Sequence, residues 1–137
     1  MTLLIIGCAG LLSSNIIFLK KKKFKIIALY NKKKPKISNI KFFKFNEKNL
    51  KYINTNYDID IVINAAGLTN VDLCEKDKKK ANYSHITILK KTIKNLNKNL
   101  FYVHISTDHL FDGKNFFYSE KSVPKPINYY AKTKLES

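Results

Sequence analysis

Thr2-Leu3-Leu4-Ile5-Ile6-Gly7-Cys8-Ala9-Gly10-Leu11-Leu12-Ser13 is the stretch that decides how the chain is read. Thr2 to Ile6 is a continuous, almost wholly apolar run, the pattern of a strand buried on both faces. It opens directly into Gly7 and Gly10, and an apolar helical spacing follows through Leu12, Ile16 and Leu19. Strand, glycine loop and helix in that order give a glycine motif meaning as a dinucleotide site. Glycine lets the backbone turn tightly and approach a diphosphate, and the helix N-terminus presents free N–H groups at its positive end.

Strand and helix patterns then alternate along the chain. Phe24 to Tyr30 reads as a second strand, Ile40 to Phe45 as a third, and Glu47 to Ile53 as a short helix. Asp60 to Gly67 reads as a fourth strand with its turn. A helix then runs from about Lys80 to Asn97 with Ile86, Leu89, Ile93 and Leu96 on its apolar face, and Leu100 to Ile105 is the fifth strand. This alternation with short connections predicts an α/β fold: a doubly wound, Rossmann-like parallel sheet, strand order 3-2-1-4-5, with helices on both faces. Its length gives residues 1–137 room for one domain. Ligands bind such sheets outside the C-terminal strand ends.

The fifth strand turns abruptly polar at that end, into Ser106-Thr107-Asp108-His109. Downstream, Pro124 and Pro126 hold the chain extended and Asn128 is a cap for a helix carrying Tyr130 and Lys134. Four residues apart on a helix, a phenol and an ammonium share one face, about 6 Å apart along the axis. Tyr129 competes for the phenol role only if the register slips, since Thr133 supplies it no ammonium.

Ser106-Thr107-Asp108-His109-Leu110-Phe111-Asp112-Gly113, then Pro126-Ile127-Asn128-Tyr129-Tyr130 and Lys132-Thr133-Lys134-Leu135-Glu136, resembles the dTDP-4-dehydrorhamnose reductase family of extended short-chain dehydrogenases/reductases. Leu68 to Glu75 continues the likeness, as does the Gly113–Pro124 loop with Phe116, Phe117, Tyr118 and Glu120. The resemblance implies reduction of a 4-keto nucleotide-deoxysugar by NADPH. Tyr130 would be the general acid. Lys134 would lower the phenol's pKa and hold the nicotinamide ribose. Thr107 would polarise the carbonyl, with Asp108 beside it on the substrate and Ser106 a second choice.

For NADP(H), the expected contacts are Gly7, Gly10, Leu11 and Leu12 at the diphosphate, Ala65, Ala66 and Gly67 along the diphosphate and ribose, and Asn46 near the adenine. Ser13 stands where the family has a third glycine, a substitution expected to loosen helix–strand packing. NAD-specific enzymes close the second strand with a carboxylate on the ribose 2′-OH. Here Asn31 and Lys32 follow instead, and lysines there favour a 2′-phosphate. The likeness covers the whole chain but about the first half of the family's fold, an incomplete domain truncated after the fifth strand and the start of the active-site helix. The resemblance implies that the family's C-terminal substrate domain lies outside these residues. That implies a homo-oligomer or a complementing C-terminal half as partner, and no turnover by this chain alone.

Composition limits other readings. The 137 residues carry 26 lysines, no arginine and 10 acidic residues, for a net charge of +16. The lysines are spread along the chain, and a duplex reader needs arginine for bidentate contacts to guanine. No specific nucleic acid is expected, only weak binding at low salt. Cys8 and Cys74 have no neighbouring thiol and form no metal centre, so reduced thiols and a cytoplasmic location follow. Leu4 to Cys8 superficially resembles a lipoprotein box but lacks a basic leader, and no run is long enough to cross a membrane. His104 reads as a satisfied strand residue. His85 stands where the resembling family places an asparagine, so it either substitutes as a hydrogen-bonder or reports relaxed selection on catalysis; as a lone histidine on a helix it stays outside the site. Asp72 and Glu75 read as the acidic first turn of a helix. Three function classes remain: a reductase; a nucleotide-binding pseudoenzyme or regulatory subunit without turnover; and a polyanion binder supported by charge alone.

Overall fold

The computed structural model describes residues 1–97 and 99–137. Five strands, β1 (Thr2–Ile6), β2 (Lys25–Tyr30), β3 (Lys41–Lys44), β4 (Ile61–Asn64) and β5 (Phe101–His104), form one parallel sheet in the order β3-β2-β1-β4-β5. Leu3 pairs with Ile26 on one side and Ile61 on the other, so β1 is the central strand. That position explains its unbroken apolar run: all five of its residues are buried. The architecture is Rossmann-like, as the alternation predicts, with each boundary within a residue or three of its expected place.

The chain packs as two compact units, residues 1–66 with 90–105 and residues 67–89 with 106–137. The first holds the whole sheet, helix α1 (Leu11–Lys20) and helix α2 (Glu47–Asn56). One of its apolar clusters joins Leu3, Ile5, Cys8, Ile17, Ile26 and Ala28. The second unit holds α3 (Val71–Lys76), α4 (Lys78–Asn82), a π turn (Tyr83–Thr87), a short 3-10 turn (Asp108–Leu110) and α6 (Tyr129–Glu136). Helix α5 (Ile88–Asn95) continues from the π turn back into the first unit.

Two expected helix faces are corrected. On α1, Leu12 and Leu19 are 46% and 69% exposed, while Ser13 and Ile17 are fully buried. The smallest available side chain takes the close-packed place, which rotates the leucines outward; Ser13 is accommodated without a hydrogen-bond partner for its buried Oγ. On the long helix, Ile93 is exposed and Thr92 fully buried. The π turn upstream holds more residues per turn than an α-helix, so the apolar face downstream is displaced from regular spacing.

Candidate active site

In the first unit, the glycine loop is shaped by backbone constraints. Gly7 has φ +81°, and a Cβ there would lie 2.7 Å from the Cα and N of Ala66. The Gly7 and Cys8 amides both donate to the Leu29 carbonyl, at 3.1 and 3.2 Å, and the Gly10 amide donates to Gly7 O at 3.1 Å. The loop is thus pinned to β2 while Gly10 starts α1. No side chain caps that helix, and Gly10, Leu11 and Leu12 are exposed. Uncapped amide N–H groups beside a glycine backbone with no Cβ in the way fit an anionic diphosphate.

The other expected cofactor contacts lie along β4, past β2 and at the start of α2. Ala65 and Ala66 are half-buried; the Ala66 amide donates to Asn64 Oδ1 at 3.2 Å, and Asn64 Nδ2 donates to His104 Nδ1 at 3.2 Å. That satisfies one ring nitrogen of a half-buried His104. Asn31 and Lys32 are exposed just past β2. Asn46 is the cap of α2, its Oδ1 accepting from the Asn49 amide at 2.7 Å, so a local structural role already occupies that oxygen.

In the second unit, Thr107 ends the polar turn after β5 and caps the 3-10 turn. Its Oγ1 accepts from the His109 amide and donates to Asp108 Oδ1, both at 3.3 Å. Ser106 is exposed. Asp108, His109, Asp112 and Tyr118 line a cavity of about 530 Å³. Phe111 stacks on Tyr118 at 4.4 Å, and the Tyr118 hydroxyl donates to Asp112 at 2.7 Å, which holds the Asp112 carboxyl below its usual pKa.

Asn128 caps α6 as its sequence predicts, accepting from the Ala131 amide at 2.8 Å. The helix sets half-buried Tyr130 one turn from buried Lys134, and burial pushes the Lys134 pKa down. His109 meets the Tyr130 ring edge-on, centroids 5.6 Å apart. The polar turn and the Tyr130–Lys134 helix are therefore brought together within one unit.

Sequence reasoning missed two residues here. Glu75 lies beyond the first turn of α3, and its Oε1 accepts from the Tyr129 amide at 2.5 Å, tying down the start of α6. His85 is 1% exposed and packs edge-on against Tyr130 at 5.4 Å. Its place in a π turn is not legible from a helical wheel. Cys8 and Cys74 are free and buried, and burial pushes the Cys8 thiol up to about 11.

Known proteins resemble this chain. The model of the RmlD substrate binding domain matches residues 1–137. A crystal structure of a hypothetical dTDP-4-dehydrorhamnose reductase from Sulfolobus tokodaii superposes with a TM-score of 0.85 at 32% identity, over 98% of this chain and 50% of that one. The spore coat polysaccharide biosynthesis protein SpsK of Bacillus subtilis is 34% identical over 122 residues, 85% of this chain and 39% of its own length. Methionine adenosyltransferase 2 subunit beta of Danio rerio is 53% identical over 36 residues, 26% of this chain and 11% of its own. This chain thus spans half or less of the length of these relatives. With the match running from its first residue to its last, the chain belongs to the RmlD substrate binding domain family.

Proposed function

We propose that this chain is the cofactor-binding and proton-donating part of an NADP(H)-dependent nucleotide-sugar reductase, acting on a 4-keto deoxysugar of the dTDP-4-dehydrorhamnose type. The observation that carries the reading is the packing of the Thr107–Leu110 turn against Tyr130, with Lys134 buried one turn further along α6. Bound dihydronicotinamide would supply two electrons and one hydrogen to the sugar's carbonyl carbon. Tyr130 gives its phenolic proton to the carbonyl oxygen as the C=O bond becomes a C–OH, and the phenolate is then reprotonated from solvent. Lys134 favours the phenolate by charge and holds the nicotinamide ribose. Thr107 turns its hydroxyl from Asp108 to the carbonyl oxygen, leaving Asp108 to accept from a sugar hydroxyl. Gly7, Gly10 and the first turn of α1 hold the diphosphate, with Ala65, Ala66 and Gly67 alongside. Asn31 and Lys32 attract the 2′-phosphate. Two free, buried thiols suit the reducing cytoplasm.

A second reading is a nucleotide-binding subunit without turnover, alone or in a homo-oligomer. The likeness to a protein named as a subunit of methionine adenosyltransferase favours it.

The test joins this chain to the C-terminal half of the Sulfolobus tokodaii relative and follows NADPH oxidation with dTDP-4-dehydrorhamnose. Turnover is expected in the joined protein and not in the 137-residue chain by itself. Tyr130→Phe should lower kcat by roughly 100-fold or more with NADPH affinity nearly unchanged, whereas Lys134→Ala should harm both. A joined protein that folds and binds NADPH yet never oxidises it would rule out the reductase and leave the subunit reading.

A further inference from the structure

His85 is a buried titratable side chain that the proposed chemistry does not use. It sits in the π turn Tyr83–Thr87, a feature common where helices serve a functional site. The ring has polar neighbours at both nitrogens. Nδ1 is 2.6 Å from Thr133 Oγ1, and Nε2 is 3.1 Å from both the amide nitrogen and the carbonyl oxygen of Leu68.

The bonding of Thr133 assigns the ring proton. The Leu68 amide can only donate, which makes Nε2 an acceptor, and Thr133 Oγ1 lies 3.0 Å from Tyr129 O and 2.9 Å from Tyr130 O, carbonyls that can take its single proton. Towards His85 the hydroxyl can offer only a lone pair. Nδ1 therefore carries the hydrogen and donates to Thr133, while bare Nε2 accepts from the Leu68 amide. Burial and the charge of Lys134 lower the His85 pKa, outweighing a contact with the Leu68 backbone that raises it. The other titratable groups around this network are Tyr130, edge-on to the ring, and Cys74, whose Sγ donates to Leu68 O at 3.4 Å.

We propose that His85 is a positioning residue, a neutral Nδ1–H ring that ties α6 to the Leu68 turn and so sets where Tyr130 and Lys134 stand. The link runs from the Leu68 amide through the ring to Thr133, midway along the helix that carries both groups. The inference rests on the reductase reading only for its catalytic consequence.

Two measurements test it. Long-range proton–nitrogen correlation NMR on the histidine-labelled 137-residue chain reads the tautomer directly. A single Nδ1–H form is expected at neutral pH, becoming a mixture in Thr133→Val; an Nε2–H form in the unsubstituted chain overturns the proposal. In the joined protein, His85→Phe keeps a ring but removes both nitrogens, and should lower kcat roughly ten- to a hundredfold through displaced reacting groups. KM for the sugar nucleotide should stay near the wild-type value. His85→Asn, which can still donate to Thr133, should recover part of kcat, and it replaces the phenylalanine variant should that one not fold. Wild-type kcat in both variants overturns the positioning role and leaves the reductase reading intact. If the unsubstituted joined protein never turns over, the reductase reading falls, and the tautomer together with amide exchange of α6 in the variants still decides the positioning role.

Discussion

Gly7 shows how much one position can demand. Its φ of +81° lies where a side chain is strained, and a Cβ would come within 2.7 Å of Ala66 backbone atoms that cannot swing aside. Gly7→Ala should therefore cost about 2 kcal/mol from the backbone conformation alone, with further loss from the displaced β4 turn. Urea denaturation of the chain measures it, and an unchanged midpoint would mean that the loop relaxes freely. Gly10 differs: a Cβ there meets only Gly7 O at 3.4 Å, so its lack of a side chain leaves room rather than relieving a clash. The two glycines look alike in the sequence and do different things.

Among the elements, α6 matters most, and its start is held three ways. Asn128 caps it, Glu75 accepts from the Tyr129 amide, and the Tyr129 hydroxyl donates to Asn82 Oδ1 at 3.1 Å. An eight-residue helix is marginal by propensity alone, so these ties and the buried Ala131, Thr133 and Lys134 supply its order. Asn128→Ala should destabilise it by about 1 kcal/mol. Amide exchange at Ala131 should quicken before global unfolding, and exchange at the wild-type rate would show that the cap is redundant. The carboxylate of Glu75 also sits favourably at the positive end of the helix dipole.

For the molecule as a whole, charge bears on the proposed preference for NADPH. Of the 26 lysines, three (Lys32 to Lys34) lie one residue past the end of β2, and the stretch from Tyr30 to Lys34 holds no carboxylate. NADPH should bind more tightly than NADH, and its advantage should shrink as salt rises, since the exposed lysines act through screened charge. Fluorescence titration with both cofactors at two salt concentrations checks this; equal affinities would remove Asn31 and Lys32 from a 2′-phosphate site. The sheet meanwhile ends at β5, whose Phe101 is 69% exposed.

Local rules carried much of this structure. Buried strands, glycine turns and helix caps depend on residues near in sequence, so Thr2–Ile6 as a strand, the order 3-2-1-4-5 and Asn128 as a cap were all legible. That Tyr130 and Lys134 share one helix was legible too, from their spacing. What tertiary structure alone decided depends on distant partners. The Ser13 face of α1 turned inward because packing against the sheet selects the smallest side chain, against the apolar spacing of Leu12 and Leu19. The π turn displaced Ile93 outward, and no residue in Tyr83–Thr87 marks such a turn in advance. Glu75 reaches Tyr129 across 54 residues and His85 reaches Thr133 across 48. Hydrogen bonds between elements so far apart are set by how the chain closes on itself, and neither composition nor periodicity encodes them.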